Sequence, residues 1–396
     1  MRSLPLALAL LGCWKTDRVS AGSEKSVIPL ELFFDLVFVF ALTQVTALMS
    51  DDPTWRGVGR GMLVLAALWW AWGAYAWLTN EIDADEDVPR LAMFTSMTAM
   101  LIAALAVPNA FDDDGVIFGC AYFVVRVMHI VLFARATAHL EVRDAVVRLA
   151  RTAIPAPTLL IAAGFLDGPL QAALWVVALA VDLGGPLVFG VSGYQVGASH
   201  FVERFGLIII IALGESIVAI GVGAAGLGLD IGLIAAAALG VVIAGAFWWA
   251  YFDWMAIHAE RVFRETEGEE RARMARDAFS YLHFPMVAGI VLVAVGIKKT
   301  VGDVDEPLKT VPTVALLGGI ALYLAGHVAF RLRLHSGLGR GRLTAAVVSL
   351  ALIPIAVEVE DALGALALAA AVSAALIGYE VIRFAEPRAR ARTGAD

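Results

Sequence analysis

Four ionisable side chains lie deep inside long apolar stretches of the sequence: Asp35, Arg126, Glu215 and His327. An ionisable group inside a bilayer costs on the order of 3 kcal/mol or more unless it is paired or wetted, so each of the four is a functional candidate. A carboxylate and an imidazole held at the same depth can pass a proton between them. These residue types therefore indicate proton or ion translocation, or else a buried network of ion pairs with a structural role.

We expect Glu215 to face Arg126 or His327, because a buried carboxylate needs a cationic or hydrogen-bonding partner. Gln44 lies on the first of the apolar stretches, and His129 follows Arg126 by about one helical turn. The four deep residues and these two side chains are predicted to line one polar path.

The composition requires a membrane protein. Of the 396 residues, 60% are hydrophobic and 17% are charged, whereas soluble domains have roughly 45–50% apolar and about 25% charged residues. The mean hydropathy of +0.81 agrees. These values exclude a soluble enzyme and a disordered scaffold, and the net charge of −8 excludes a nucleic-acid partner, since phosphate binding requires a basic face. The lipid bilayer is the expected surrounding of the chain.

The apolar runs predict an all-α, polytopic membrane protein with about twelve transmembrane helices. A run of about 20 apolar residues spans the hydrocarbon core, where backbone groups must bond within a helix. The predicted spans are residues 27–49, 57–79, 89–110, 115–136, 152–166, 170–190, 203–225, 231–254, 278–298, 312–332, 343–358 and 362–384. The fifth span is short and carries Pro155 and Pro157.

Most of the 29 lysines and arginines fall on one side of this arrangement. The positive-inside rule then predicts a multi-pass protein of the inner (plasma) membrane with both termini in the cytoplasm. Residues 1–26 are expected to form a cytoplasmic tail. The alternative, a cleaved lipoprotein-like signal ending at Cys13, would invert the charge bias. Residues 386–396 are the second tail.

The second half of the chain aligns with the first. Residues 205–215 match 34–44, residues 248–251 match 69–72, and Tyr323 and His327 match Tyr122 and Arg126. Matches at polar positions indicate duplication rather than shared apolar composition. We therefore predict two six-helix repeats of the same topology, residues 27–200 and 201–385, related by a pseudo-two-fold axis along the membrane normal.

Motifs for catalysis are nearly absent from the sequence. Gly190-Val-Ser192-Gly193 matches the Gly-x-Ser-Gly of rhomboid intramembrane proteases, and an enzyme of that kind would need a histidine within hydrogen-bond reach of Ser192. No phosphate-binding loop, zinc-type histidine pair or cysteine framework occurs, so we expect no catalytic residues, no cofactor and no metal site. The tryptophans of the second and eighth spans are interpreted as an aromatic belt at the membrane interface.

Three short motifs are specific in combination. They are Leu30-Glu31-Leu-Phe-Phe-Asp35, then His200-Phe-Val-Glu203-Arg204 with Gly214-Glu215-Ser216, and His283-Phe-Pro285. With them the chain resembles the bacterial low temperature requirement protein A family over about residues 27–385. The resemblance implies an inner-membrane protein linked to growth in the cold. It marks eight signature positions of unassigned role: Glu31, Asp35, His200, Glu203, Arg204, Glu215, Ser216 and His283.

A looser likeness concerns Phe33-Phe34-Asp35, which is similar to the Phe-Ser-Asp motif of two-repeat, twelve-span cation channels of endolysosomes. The aligned Phe205-Gly206-Leu207 lacks the acid. We expect a proton-coupled or cation transporter or channel, moving protons or small cations, whose substrate and oligomeric state the sequence leaves open. The alternative is a non-transporting membrane protein that supports cold adaptation or a stress response through partners or lipid.

Overall fold

The computed structural model describes residues 26–82, 86–136, 143–192, 194 and 196–383, and the regular structure within them is helical. Apart from Ser26, the predicted tails 1–26 and 386–396 lie outside the described residues. The helices are α1 Pro29–Asp51, α2 Trp55–Glu81, α3 Asp87–Ala106, α4 Gly115–Ala136, α5 Arg143–Ala153, α6 Pro155–Ala163, α7 Gly168–Phe189, α8 Ala198–Gly223, α9 Ile231–Phe252, α10 Met255–Glu265, α11 Gly268–Met274, α12 His283–Gly302, α13 Thr310–Arg333, α14 Arg340–Val357 and α15 Ala362–Arg383.

Two irregular segments extend these helices. A 3-10 turn, Val107–Asn109, continues α3, and a π-helical segment, Ala275–Tyr281, joins α11 to α12. Side-chain caps explain where two of the helices begin. The Thr54 hydroxyl accepts from the Gly57 amide at the start of α2, and the Asp230 carboxylate accepts from the Leu233 amide at the start of α9.

Twelve helical segments of the described chain are long and apolar enough to cross a membrane, which confirms the predicted number. Most of them end within a few residues of the prediction. The fifth span differs: it begins with α5 and is interrupted at Ile154, before Pro155 begins α6. Proline removes a backbone donor and clashes with the preceding turn, which accounts for the break. The ninth span also starts earlier than predicted, at Gly268.

The packing order of the helices is the same in both halves of the chain. In the first half, α1 packs on α2 and α3, and contacts continue from α3 through α4, α6 and α7 back to α2. In the second half, α8 packs on α9 and α12, and contacts continue from α12 through α13, α14 and α15 back to α9. The halves meet where α1 and α2 contact α8 and α12.

Helices α12 and α13 approach each other closely at two glycines. A Cβ added to Gly319 would lie 2.7 Å from the Gly289 carbonyl oxygen, and one added to Gly289 would lie 2.6 Å from the Gly319 carbonyl oxygen. In a bilayer, helix association depends on close van der Waals packing, which small residues permit. The two glycines therefore set the distance between these helices.

Gly319→Ala is expected to lower the thermal unfolding temperature of the detergent-solubilised protein, because overpacking of this kind costs about 1–3 kcal/mol. The matched control is Gly318→Ala on the same helix, whose added Cβ would meet Val314 at an ordinary 3.7 Å. Both substitutions gain the same helix propensity, so the difference between them reports the contact. Equal melting temperatures for the two variants would contradict the close crossing.

Candidate functional site

Most of the signature residues lie at the interface between α1 and α8. Glu31 and Asp35 are four residues apart and share one face of α1, as His200 and Arg204 share one face of α8. Glu31 contacts His200 and Asp35 contacts Arg204, so the two helices run parallel and the two pairs meet in register. Near the start of the interface, the Glu203 carboxylate accepts from the Val27 amide at 3.3 Å.

The first pair joins a carboxylate to an imidazole. His200 Nε2 lies 3.0 Å from both carboxylate oxygens of Glu31, and both side chains are buried. The Ile28 amide also donates to Glu31 Oε2 at 3.0 Å. Glu31 therefore holds the first turn of α1 and ties it to α8 through the same group.

The second pair is bidentate and fully buried. Arg204 Nη1 and Nη2 donate to the two Asp35 oxygens at 2.8 and 3.0 Å, and the residues are 0% and 1% exposed. Trp72 Nε1 donates to Asp35 Oδ1 at 2.9 Å, and the Arg204 guanidinium lies 5.7 Å from the Trp72 ring centre. The planar fork of arginine matches a carboxylate in this geometry, so the pair is neutral as a unit.

Glu215 occupies the same interface farther along α8. Its Oε2 accepts from the Thr43 hydroxyl of α1 at 2.7 Å, and the residue is 1% exposed. It lies about 26 Å along the axis from Ala198, about two thirds of the helix length. Within the described residues it forms no ion pair with a basic side chain, whereas four other buried carboxylates lie within 3.0 Å of a basic nitrogen: Glu31, Asp35, Asp182 and Glu380.

The expected pairing of Glu215 with Arg126 or His327 is wrong, because both basic residues have other partners. Arg126 Nη2 donates to Asp182 Oδ1 at 2.6 Å, between α4 and α7. His327 Nδ1 accepts from Arg342 Nη1 at 2.8 Å.

Those partners belong to two separate clusters. The hydroxyl of Tyr122 donates to Asp182 Oδ2 at 2.9 Å, which completes the cluster of Arg126. Arg342 also donates to Glu380 at 2.7 and 3.2 Å, which completes that of His327. Arg342 lies in the first turn of α14 and is buried, so it reaches inward rather than into a loop.

The remaining signature histidine is anchored next to the α1–α8 interface. His283 Nδ1 donates to the Ala278 carbonyl oxygen and its Nε2 accepts from the Tyr251 hydroxyl, both at 2.9 Å. These bonds specify one neutral tautomer. Its ring lies 5.3 Å from that of Phe205, which neighbours Arg204 on α8. Ser216 is buried beside Glu215 in sequence, and Gln44 is half-buried on α1.

A cavity of about 90 Å³ lies mainly within the first half of the bundle and is also lined by Arg276 and Ser280 of the π-helical segment. Its buried lining residues include Arg126, His129 and Asp182, and its wall also includes Arg148 in the middle of α5 and Tyr194 in the segment after α7. The other predicted path residues, Asp35, Gln44, Glu215 and His327, do not line this cavity. Asp35 and Glu215 therefore lie at the α1–α8 interface, Arg126 and His129 at the cavity, and His327 in the cluster around Arg342.

Ser192 lies near the mouth of the same cavity. Its backbone oxygen accepts from Arg148 Nη2 at 2.9 Å. Among the described residues no histidine hydrogen-bonds to it. The Gly193 of the expected motif lies outside the described part of the chain.

The interpretation of the tryptophans as an interfacial belt is wrong for Trp69, Trp70 and Trp72 of α2. Trp69 and Trp72 are almost fully buried, and Trp69 Nε1 donates to the Ser280 carbonyl oxygen at 2.8 Å. Trp77 Nε1 donates to the Ser280 hydroxyl at 2.9 Å. These rings join α2 to the π-helical segment. Trp248 on α9 is exposed, as an interfacial residue would be.

Arg204→Met is expected to destabilise the protein by about 3–5 kcal/mol, because it leaves the Asp35 carboxylate buried without its cation. Adding Asp35→Leu to this variant is expected to restore most of the stability, since a neutral apolar pair replaces the ion pair. Denaturant unfolding in detergent measures both effects.

The matched control for this prediction is Arg273→Met. Arg273 pairs with Glu269 at 2.9 Å on an exposed face. Such a surface pair is worth only about 0–1 kcal/mol. A loss in Arg204→Met no larger than that of the control would contradict the assignment of a buried, interlocking pair.

Comparisons with known proteins show which family the chain belongs to. Residues 26–377 match the family model described as bacterial low temperature requirement A protein (LtrA). The chain is 31% identical to an uncharacterized protein of Rhizobium meliloti (strain 1021) over 307 residues, which are 75% of each chain. No solved structure matches it. The family match extends over most of the chain and includes the residues that join α1 to α8, so this protein belongs to the bacterial low temperature requirement A family.

Proposed function

We propose that this protein is a proton-translocating membrane transporter in which Glu215 carries the proton. The observation that supports this role is the environment of Glu215, a buried carboxyl group whose hydrogen-bond partner is the Thr43 hydroxyl and not a cation. An unpaired charge in that position is costly, so the carboxyl group is suited to take up and release a proton. A hydroxyl can donate to a carboxylate or accept from a carboxylic acid, so the contact suits both states.

The proposal includes an architecture of two six-helix repeats. Each half has the same order of packed neighbours, beginning with α1 in one half and α8 in the other. Each half also has a buried basic cluster at aligned positions, around Arg126 and around His327. Glu215 then lies between the first helices of the two repeats, where relative movement of the halves would change its surroundings.

The proposal places both termini in the cytoplasm at the inner membrane. With that orientation, the cavity beside Arg126 lies in the cytoplasmic half of the bundle, since the ends of α2, α4 and α7 near it would face the cytoplasm. Glu215 lies nearer the opposite side. Proton carrier and cavity would thus lie in different layers of the membrane.

A second candidate function is a non-transporting membrane protein that supports cold adaptation. The observation that favours it is the pairing of the other buried charges, including Asp35 with Arg204 and Arg342 with Glu380. Neutralised pairs of this kind would stabilise a rigid bundle without moving an ion. Proton flux distinguishes the two candidates.

Glu215→Gln is expected to reduce protein-dependent proton flux by about tenfold or more, because the amide keeps the size and the bond to Thr43 but does not carry a proton. Purified protein is reconstituted into liposomes that contain a pH-sensitive dye, and a potassium diffusion potential drives protons inward. Glu215→Asp is expected to retain part of the flux. The matched control is Glu360→Gln, which changes an exposed glutamate and is expected to leave the rate unchanged.

Equal flux in the parent and Glu215→Gln would contradict the role of this residue. A parent rate no higher than that of protein-free liposomes would contradict transport and favour the second candidate.

A green fluorescent protein fused after Arg383 is expected to fluoresce in bacteria, because that end of α15 lies in the cytoplasm in the proposed orientation. Alkaline phosphatase fused at Asp305, in the segment between α12 and α13, is expected to be active because it is exported. The reverse pattern would contradict the orientation.

A further inference from the structure

Two buried side chains that line the cavity, Arg126 and His129, have nitrogens that bond to no group of the described chain. Arg126 is 2% exposed, and only its Nη2 donates to Asp182. In the described residues its Nε and Nη1 have no hydrogen-bond partner. His129, three residues along the same helix, lines the cavity and has an unpartnered Nδ1. Buried donors without acceptors are rare and costly, and they point to an acceptor that enters the cavity.

The charges around the cavity favour one negative charge. Of the three lining arginines, Arg126 is neutralised by Asp182, and Arg276 by Asp277 at 2.7 Å. Arg148 contacts the Ser192 carbonyl oxygen and forms no ion pair with a carboxylate of the described chain. One arginine thus remains to balance a monoanion. A dianion such as phosphate would be disfavoured by the Asp182 carboxylate at the inner end.

The size and walls of the cavity restrict the rest of the ligand. A volume of about 90 Å³ is smaller than the roughly 150 Å³ cavity that accepts benzene. The walls between the basic groups are mainly apolar, with Trp70, Trp77, Leu149 and Phe189. A carboxylate with a chain of a few carbon atoms fits both constraints.

We propose that this cavity binds a small aliphatic monocarboxylate, with its carboxylate at Arg126 and His129 and its alkyl chain against the tryptophans. Arg148, on the wall near the mouth, attracts the anion and compensates its charge. The binding site stands on the cavity alone. The further statement that this anion is the solute that moves with the proton rests on the proposed function.

The test is saturable binding of radiolabelled propionate to the purified full chain in detergent. Gly73→Leu fills the cavity without altering a polar group, since Gly73 lines the cavity and a Cβ there would have no atom within 4 Å. Its matched control is Gly59→Leu, at an exposed position on the same helix whose Cβ is equally free. Arg148→Gln removes the unbalanced charge, and Arg135→Gln is its control because Arg135 is exposed and does not line the cavity.

We expect the parent to bind propionate, and Gly73→Leu and Arg148→Gln each to weaken binding by about tenfold or more, with both controls within about twofold of the parent. No saturable binding by the parent would overturn the inference, as would equal binding by all variants. Displacement of propionate by inorganic phosphate at lower concentrations than by acetate would overturn the monocarboxylate class. Arg148→Gln keeps the test valid if Gly73→Leu does not fold.

Propionate-driven proton uptake in liposomes separates this inference from the proposed function. Intact binding without proton flux leaves the site in place and contradicts transport. Proton flux that depends on Glu215 without propionate binding contradicts only the site.

Discussion

The packing of the helices depends on the pairing of ionisable side chains that are buried within the bundle. Arg204 reaches Asp35 with two hydrogen bonds across the α1–α8 interface, and His200 reaches Glu31 one helical turn away. Neither member of the Arg204–Asp35 pair is tolerable alone, since removing one leaves the desolvation cost of the other. The two pairs therefore fix the register of α1 against α8. They also make the contact between the halves of the chain specific in a way that apolar packing against lipid-like surfaces cannot.

The number and type of helices could be predicted from the sequence because length and hydropathy are local properties. The bounds of α4 were predicted without error, and those of most others within a few residues. Pro155 predicts the break at Ile154. Hydropathy does not predict the early start of the ninth span, because Gly268–Met274 is too polar for a membrane-spanning segment and is connected to α12 by a π-helical segment.

The partners of the buried charges were harder to predict, because they depend on which helices become neighbours. The spacing of Glu31 and Asp35 matches that of His200 and Arg204, and this shared spacing was a signal that could have suggested two parallel pairs. Arg342 falls just outside the predicted span 343–358, since a window of hydropathy does not show that an arginine in a first turn can extend inward. The burial of Trp72 follows from its bond to Asp35, which no aromatic pattern reveals.

The crossing of α12 and α13 at Gly289 and Gly319 has a mechanical consequence. With each backbone seated against the other, one helix cannot slide along its neighbour or roll over it without a steric collision. The two helices therefore form a rigid pair, and any rearrangement of the bundle has to occur in the helices packed around this pair.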